Sequence, residues 1–207
     1  MMTILEIREK IQTDVFSILE LNSLLDKYHN KAVKIASFLH HGEIVQLRRG
    51  LYTFAAPLRR GPISTCLVAN RLYGPSYVSE DFALSYHGLI PETPGVVTSI
   101  CMGRSREFTN DFGVFSFRYC RSKAYSIGIA IGGGEKDHFL IATPLKALFD
   151  KALHDKRWNG EAPEEYLSED LRIDLDEHEW LDKDLLNELS PFMRGRLTGL
   201  HAFLEGL

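Results

Sequence analysis

The spacing of hydrophobic residues near the start of the chain predicts three consecutive helices. Apolar residues recur at helical intervals over Thr3–Gln12 and again over Val15–Tyr28, and each recurrence is typical of one buried helical face. A third helix is expected after Asn30, because its side-chain oxygen can accept a hydrogen bond from the first turn. Gly42 is expected to end this helix, since glycine adopts the left-handed conformation at little cost.

The residues after Gly42 alternate between polar and apolar types, which predicts a hairpin of two short strands. Glu43–Leu47 and Leu51–Phe54 are the two alternating runs. Arg48-Arg49-Gly50 lies between them and fits a tight turn in which glycine adopts a positive φ. The pattern therefore predicts two arginines at the tip of a hairpin.

The third predicted helix has one apolar face and one polar face. The face expected to be buried consists of Ala32, Ile35, Ala36 and Leu39. The other face carries Lys31, Lys34 and Ser37, with His41 near its end. Three helices and a hairpin are the plan of a winged helix-turn-helix, whose last helix enters the major groove of DNA. The alternative interpretation is an ordinary helix and hairpin with a solvated surface.

The residues expected to contact DNA come from this helix, from the hairpin tip and from the segment after it. They are Lys31, Lys34, Ser37, His41, Arg48, Arg49, Arg59 and Arg60. The last two lie in Ala55–Pro62, whose prolines and glycine predict a linker. There they either extend the contact with phosphates or belong to a simple connector. We therefore predict a winged-helix DNA-binding domain over residues 1–56 and a second domain over residues 63–207.

The second domain is predicted to be mixed α/β, with a mainly antiparallel sheet and a helical C-terminal end. Helices are expected over Ile63–Tyr73, over Glu80–His87 after a Ser79 cap, and from Thr143-Pro144 to about Leu153. The expected strands span 77–79, 96–102, 113–119, 127–131 and 138–142. The tail over 163–207 is mostly helical by pattern, with breaks near 171–174 and 190–191. The whole chain is thus predicted to belong to the α+β class.

The net charge of −4 over 207 residues is unevenly distributed. Residues 1–60 contain nine Lys/Arg and six Asp/Glu, a net charge of +3. Residues 155–190 contain four Lys/Arg and thirteen Asp/Glu, a net charge of −9. Nucleic acid is therefore expected at the N-terminal part, while the acidic segment is either a solvated surface or a contact for a basic protein. Since +3 is modest for a DNA-binding domain, we expect a weakly binding monomer or a dimer that forms on DNA.

Composition predicts a soluble, cytoplasmic protein. Hydrophobic residues make up 44% of the chain and charged residues 25%, as in ordinary globular proteins. No segment approaches the ~20 apolar residues of a membrane span, and the N-terminus does not read as a signal peptide. Cys66, Cys101 and Cys120 form no CxxC pair, so they predict neither a zinc site nor a disulfide framework.

Three features that resemble enzymatic motifs lack the spacing that catalysis requires. Gly132-Gly133-Gly134-Glu135-Lys136 does not match the phosphate-loop pattern and is expected to be a hairpin turn. Asp176-Glu177-His178-Glu179 are adjacent residues that do not share one helical face as metal ligands do. His87 is expected to be a cation at a helix end or a packed ring. We therefore expect no enzymatic activity, no metal and no cofactor.

Three pieces of the sequence are similar to the AbiEi antitoxin family of abortive-infection (phage-defence) systems. The pieces are QLRRGLY at 46–52, ANRLYGPSYVSEDFALSYHGLIPE at 69–92 and IATPLKALFDKAL at 141–153. Their order and spacing resemble the family over roughly residues 20–155. The positions carried over are Arg48, Arg49, Gly50 and Tyr52, with the helix before them. The match at Pro144, Lys146, Ala147 and Asp150 is also explained by structure alone.

The resemblance implies a protein of two parts. The winged helix would bind the protein's own promoter and repress its operon. The larger part would counteract a toxin that resembles a nucleotidyltransferase, in a type IV toxin–antitoxin system that needs no stable complex between the two proteins. Two alternatives are a transcriptional regulator without a toxin and a protein-interaction module that uses the winged helix for docking.

Overall fold

A computed structural model, which describes residues 2–121, 123–134 and 137–207, shows an α+β protein built on two sheets. The smaller sheet has three strands and belongs to residues 2–58, the N-terminal region. The larger sheet has six strands and belongs to residues 63–207, the C-terminal region. No helix within the described ranges is long and apolar enough to cross a membrane.

The N-terminal region alternates helices and strands. Its elements are α1 (Ile4–Lys10), β1 (Val15–Ser17), α2 (Ile18–Leu24), α3 (Lys31–His40), β2 (Ile44–Arg48) and β3 (Leu51–Phe54). The strands are antiparallel in the order β1-β3-β2. The side chains of Thr3 and Ser17 cap α1 and α2 in capping boxes. As predicted, the Asn30 side chain caps α3 by accepting a hydrogen bond from the Val33 amide at 3.2 Å.

Two expectations for this region were wrong. A single helix was predicted over Val15–Tyr28, but Val15–Ser17 form a strand that pairs with Leu51–Thr53. The partner strand is distant in sequence, so local periodicity carries no trace of the pairing. The buried residues of α3 are Ile35, as predicted, and Phe38, while Leu39 is half-buried and Ala32 and Ala36 are exposed. The larger side chains take the interior positions because they bury more apolar surface.

The three-stranded sheet contributes to two hydrophobic clusters. One cluster lies within the N-terminal region and contains Ile4, Ile7, Ile11, Phe16, Leu21, Leu25, Ile35, Phe38, Ile44, Tyr52 and Phe54. The other cluster is formed mainly by the C-terminal region but also contains Val15, Leu47 and Leu51. The backbone oxygens of Val15 and Leu47 accept hydrogen bonds from Arg71 at 3.4 Å and Asn110 at 3.2 Å. The two regions therefore pack against each other.

The C-terminal region begins after a 3₁₀ turn at Ala56–Leu58. Its elements are α4 (Thr65–Leu72), β4 (Ser76–Val78), α5 (Glu80–Tyr86), β5 (Val96–Cys101), β6 (Arg106–Asn110), β7 (Gly113–Tyr119), β8 (Ile129–Gly132), β9 (Phe139–Ala142), α6 (Pro144–His154), α7 (Pro163–Glu165), α8 (Lys183–Leu189) and α9 (Leu197–Gly206). Further 3₁₀ turns span Lys123–Ser126 and Ser190–Phe192, and a π-helical turn at Tyr166–Asp170 continues α7. The predicted helical C-terminal end, broken after residue 170, is confirmed.

The larger sheet is mixed: three of its five strand pairs are antiparallel, in line with the predicted mainly antiparallel sheet, and the two parallel pairs were not foreseen. Its strand order is β6-β7-β5-β4-β9-β8, and the pairs β5–β7 and β4–β9 are parallel. The β5–β7 pair is parallel because β6 lies between them in sequence and pairs on the outer edge of β7. β6 was not predicted, because its residues are mostly exposed and lack a hydrophobic alternation. The hairpin predicted at Gly132–Gly134 joins β8 to β9, while Glu135 and Lys136 lie outside the described residues.

Candidate nucleic-acid interface

The tip of the β2–β3 hairpin carries two exposed arginines on a fixed support. Arg48 and Arg49 are both exposed, and Arg48 Nη1 donates to the Arg49 carbonyl at 3.0 Å. Gly50 has a φ of +80°, which favours glycine. Its carbonyl accepts a hydrogen bond from the Ile18 amide at 2.9 Å, which joins the turn to the start of α2. Arg48 ends β2 and Arg49 lies in the turn, so the hairpin holds two guanidinium groups in solvent next to a strand, β3, that is buried throughout.

The exposed face of α3 is small and largely uncharged. It presents Ala32, Val33, Ala36, His40 and His41. Val33 is 63% exposed, which is high for a branched apolar side chain. Such a surface lets a helix approach a partner closely, and it differs from the basic face that the sequence predicted.

Four predicted contact residues lie on or beside α3, and their environments differ. The Lys31 ammonium is 2.5 Å from an Asp26 carboxylate oxygen and donates to the Asn22 carbonyl at 3.0 Å. Lys34 Nζ lies 4.3 Å from the centroid of the Phe38 ring. Ser37 and His41 lie together, with Ser37 Oγ 3.3 Å from His41 Nδ1. Lys31 is thus compensated by an acid, whereas Ser37 and His41 form one polar pair at the end of the helix.

Arg59 and Arg60 make contacts inside the protein. Arg59 Nε donates to the Phe54 carbonyl at 2.7 Å, and its guanidinium lies 4.9 Å from the centroid of the Phe112 ring. Arg60 donates to the carbonyls of Ile11 and Arg8 at 2.9 and 3.0 Å. These contacts attach segment 55–62 to the rest of the N-terminal region.

Asp14 completes the attachment of this segment. One of its carboxylate oxygens accepts from the Arg60 amide at 2.9 Å, and the other lies 3.5 Å from Arg8 Nη2. Burial raises the pKa of Asp14, and the charges of Arg8 and Arg59 act in the opposite direction. The arginines after β3 therefore have a structural use that the sequence analysis did not foresee.

A buried ion pair lies in the interior of the C-terminal region. Lys146 and Asp150 form a 2.9 Å ion pair on α6, and both side chains are fully buried. Lys146 Nζ also donates to the Ala124 carbonyl at 2.9 Å. Asp150 accepts hydrogen bonds from the hydroxyls of Tyr77 and Ser79 at 2.9 and 2.8 Å. We call these four side chains (Tyr77, Ser79, Lys146 and Asp150) the buried centre.

The buried centre joins two of the sequence pieces that resemble the antitoxin family. Tyr77 and Ser79 belong to the piece at 69–92, and Lys146 and Asp150 belong to the piece at 141–153. Ser79 is the N-cap residue of α5, as predicted, but its hydroxyl donates to Asp150 and makes no capping bond. Burial, the Asp150 charge and the Asp150 hydrogen bond all raise the pKa of Tyr77, so its hydroxyl stays a donor. The sequence analysis did not predict this cluster. Its visible trace is the i, i+4 spacing of Lys146 and Asp150 within α6, a spacing that places the two side chains next to each other.

The remaining candidates for chemistry have structural surroundings. His87 Nε2 lies 2.8 Å from the Ala142 carbonyl and its ring packs edge-on against Tyr86, which matches the expected packed ring. Within residues 2–121, 123–134 and 137–207, no group of three or more His, Cys, Asp or Glu side chains is placed to hold a metal ion.

Neither a scan against models of known protein families nor a search among curated proteins finds a match to this chain. The similarity to AbiEi-type antitoxins therefore stays a prediction that depends on the sequence pieces at 46–52, 69–92 and 141–153.

Proposed function

We propose that residues 2–58 form a winged helix that binds double-stranded DNA and that the protein represses its own operon in the cytoplasm. The observation that carries this proposal is the exposed Arg48-Arg49 pair on a hairpin whose second strand is buried. Arginines at such a tip can donate to phosphates or enter a narrow minor groove. The element order α1-β1-α2-α3-β2-β3 and the sheet order β1-β3-β2 support the winged-helix interpretation.

In this proposal α3 enters the major groove. Its exposed Ala32, Val33 and Ala36 let the helix approach the bases closely, and their methyl groups suit contact with thymine methyls. Ser37 and His41 supply polar groups at the end of the helix. Lys31 contributes less than the sequence suggested, because Asp26 already compensates its charge.

The number of available cations limits the affinity of one protomer. Lys34, Arg48 and Arg49 are the cations best placed to contact phosphate, since Arg59 and Arg60 bond to backbone carbonyls. Each phosphate contact steepens the logarithmic dependence of affinity on salt by about 0.9. A protomer with so few contacts binds weakly, so we expect two protomers on a two-fold operator or on adjacent sites.

The antitoxin function is proposed from the resemblance. Residues 63–207 would neutralise a nucleotidyltransferase-like toxin without a stable complex. The net charge of −9 over residues 155–190 supports a brief encounter with a basic partner. This activity is separate from DNA binding, so the two can be lost independently.

The exposed face of α3 favours one other function. Val33, Ala32 and Ala36 give the helix an apolar surface that also suits a protein partner. In that case the hairpin arginines would bind acidic side chains and the promoter would not be recognised. DNA-binding measurements separate the two functions directly.

Repression is tested with a fusion of the upstream region to a reporter gene. The full-length protein should lower reporter output, and Arg48→Ala with Arg49→Ala should restore it. Arg104→Ala with Arg121→Ala is the matched control, because it removes the same charge from exposed positions outside the N-terminal region. Equal repression by the parent and the Arg48/Arg49 variant would exclude the hairpin from the interface.

Antitoxicity is tested with the same full-length variants. If a nucleotidyltransferase-like gene lies beside this one, its expression should stop growth and co-expression of the parent should restore it. The Arg48/Arg49 variant should restore growth equally well, since residues 63–207 are unchanged. Loss of rescue in that variant would show that protection requires the hairpin.

A further inference from the structure

A cleft of about 770 Å³ opens beside α6 in the C-terminal region and is lined by four cationic side chains and a histidine. The cations are Arg118, Lys151, Lys156 and Arg157, and the histidine is His154. Asp81 and Asp155 are also in the wall, and Tyr119 and Ser105 complete it. The size is that of a site for a small organic ligand. The cleft belongs neither to the hairpin surface nor to the buried centre.

A buried glutamate lies against two of these side chains, Arg118 and His154. Glu80 is 1% exposed, and its carboxylate oxygens lie 3.3 Å from Arg118 Nη1 and 3.0 Å from His154 Nδ1. Neither oxygen has a hydrogen bond of good geometry to the described residues. The φ of Glu80 is +55°, a region that residues other than glycine rarely adopt. Such backbone strain is concentrated at functional sites.

A second buried carboxylate orients the other side of the wall. Asp155 accepts hydrogen bonds from Arg157 Nε at 3.2 Å and Nη2 at 3.0 Å, and it lies 3.3 Å from Lys151 Nζ. Burial opposes the ionisation of Asp155, but the Arg157 hydrogen bonds and the Lys151 and Arg157 charges outweigh it and lower the pKa. Lys151 Nζ also contacts Asp81 at 2.8 Å. The wall is therefore built before any ligand arrives, which lowers the entropy lost on binding.

The wall keeps donors for a ligand despite these ion pairs. The wall has four residues with a permanent positive charge and two carboxylates, and Glu80 behind it is a third carboxylate. The positive charges therefore outnumber the negative ones by one. The Arg118 side chain is 43% exposed and the Arg157 side chain 78% exposed, and each guanidinium has N–H groups beyond its carboxylate contact. Lys156 is exposed as well. Several guanidinium and ammonium donors that converge on one space are typical of a phosphate site.

An aromatic ring stands beside these donors. Tyr119 is 45% exposed and lines the cleft at the end of β7. Its amide donates to Ser105 Oγ at 3.0 Å, which fixes the end of β7 at the cleft. An exposed ring in the lining of a cationic cleft can stack a base while the cations hold the phosphate.

We propose that this cleft binds a nucleotide phosphate, with Tyr119 stacked on the base and with Arg118, Lys156 and Arg157 donating to the phosphate. The ligand is a free nucleotide or one nucleotide of a single strand, because both present the same base and phosphate. The site does not depend on DNA binding by residues 2–58.

The test is calorimetric titration of the full-length protein with adenosine monophosphate, with inorganic phosphate and with a short single-stranded RNA. The RNA titration uses the Arg48→Ala, Arg49→Ala background, so that the hairpin cannot contribute. We expect adenosine monophosphate to bind more tightly than inorganic phosphate. Tyr119→Ala should weaken the binding of adenosine monophosphate and of the RNA about fivefold or more, the usual loss for one stacked base. Lys156→Glu should weaken all three ligands.

The variants are chosen so that folding does not obscure the result. Tyr119 and Lys156 are exposed, so their substitutions should leave the melting temperature unchanged. Arg118→Lys keeps the charge near Glu80 but removes the guanidinium fork, and it should weaken the phosphate contact. Arg48→Ala with Arg49→Ala is the matched control and should leave adenosine monophosphate binding unchanged.

Each outcome decides the proposal. Tight binding of adenosine monophosphate identifies a free nucleotide as the ligand, and binding of the RNA alone identifies a strand. If inorganic phosphate binds as tightly as the nucleotide and Tyr119→Ala has no effect, the cleft is not a nucleotide site. If none of the three ligands binds at millimolar concentration, the proposal is wrong, whatever the reporter shows about DNA.

Discussion

The hairpin tip and the buried centre use charged side chains in opposite ways. Arg48 and Arg49 lie in solvent at the end of a turn, where they contribute little to folding. Lys146 and Asp150 are fully buried and are held by Ala124, Tyr77 and Ser79. A charge in solvent is available to a ligand, whereas a buried charge with all its partners is committed to the fold. Burial and partners, and not residue type, therefore identify a candidate site.

The largest effect should come from breaking the buried pair. Lys146→Met leaves the Asp150 carboxylate without its cation, so the free energy of unfolding should fall by about 3–5 kcal/mol. The double variant Lys146→Met, Asp150→Leu removes both charges and should be less destabilised than the single variant. Urea denaturation measures both. A single variant as stable as the parent would show that the pair contributes little.

A smaller effect should come from the backbone beside the buried centre. Gly128 has a φ of +69°, and a methyl group there would lie 2.8 Å from Lys146 Cβ. Gly128→Ala should therefore cost about 2–3 kcal/mol, from the positive φ and the close contact together. Gly42→Ala is the matched control, since Gly42 has a φ of +65° with nothing within 4 Å of the added methyl. It should cost only about 1 kcal/mol, and equal losses in the two variants would contradict the packing argument.

Arg60 and Arg49 differ in the same way as the buried centre and the hairpin tip, because only the Arg60 side chain has partners among the described residues. Because it donates to two backbone carbonyls and lies near Asp14, Arg60→Ala should lower the free energy of unfolding by about 1–2 kcal/mol. Arg49→Ala should change it by less than about 0.5 kcal/mol, as exposed substitutions usually do. Thermal denaturation of both variants measures the difference. If Arg60→Ala is silent, the contacts of Arg60 do not hold segment 55–62 in place.

Local chemistry was predicted well from the sequence, and long-range pairing was not. The Asn30 cap, the end of α3 near Gly42 and the β2–β3 hairpin follow from residues within a few positions of each other. The strand at Val15–Ser17 and the parallel pairs of the larger sheet depend on distant partners. No local periodicity reports such partners.

The same limit applies to the candidate sites. The exposure of Arg48 and Arg49 could be predicted, because the geometry of a tight turn places its side chains in solvent. Arg59 and Arg60 look equally basic in the sequence, but the carbonyls that they contact belong to residues far along the chain or across a turn. The cleft wall was missed for the same reason, since Glu80 meets Arg118 and His154 only in the folded protein.

Binding of the hairpin arginines to promoter DNA is measured by the affinity of the full-length protein for its upstream DNA over a range of salt concentrations. Fluorescence anisotropy should show tighter binding to the upstream duplex than to a random duplex of equal length. Arg48→Ala with Arg49→Ala should flatten the logarithmic salt dependence by about 2, because two phosphate contacts are lost at about 0.9 each. Equal affinity for the two duplexes would contradict specific binding to the promoter. An unchanged slope in the variant would contradict contacts between the hairpin arginines and phosphates.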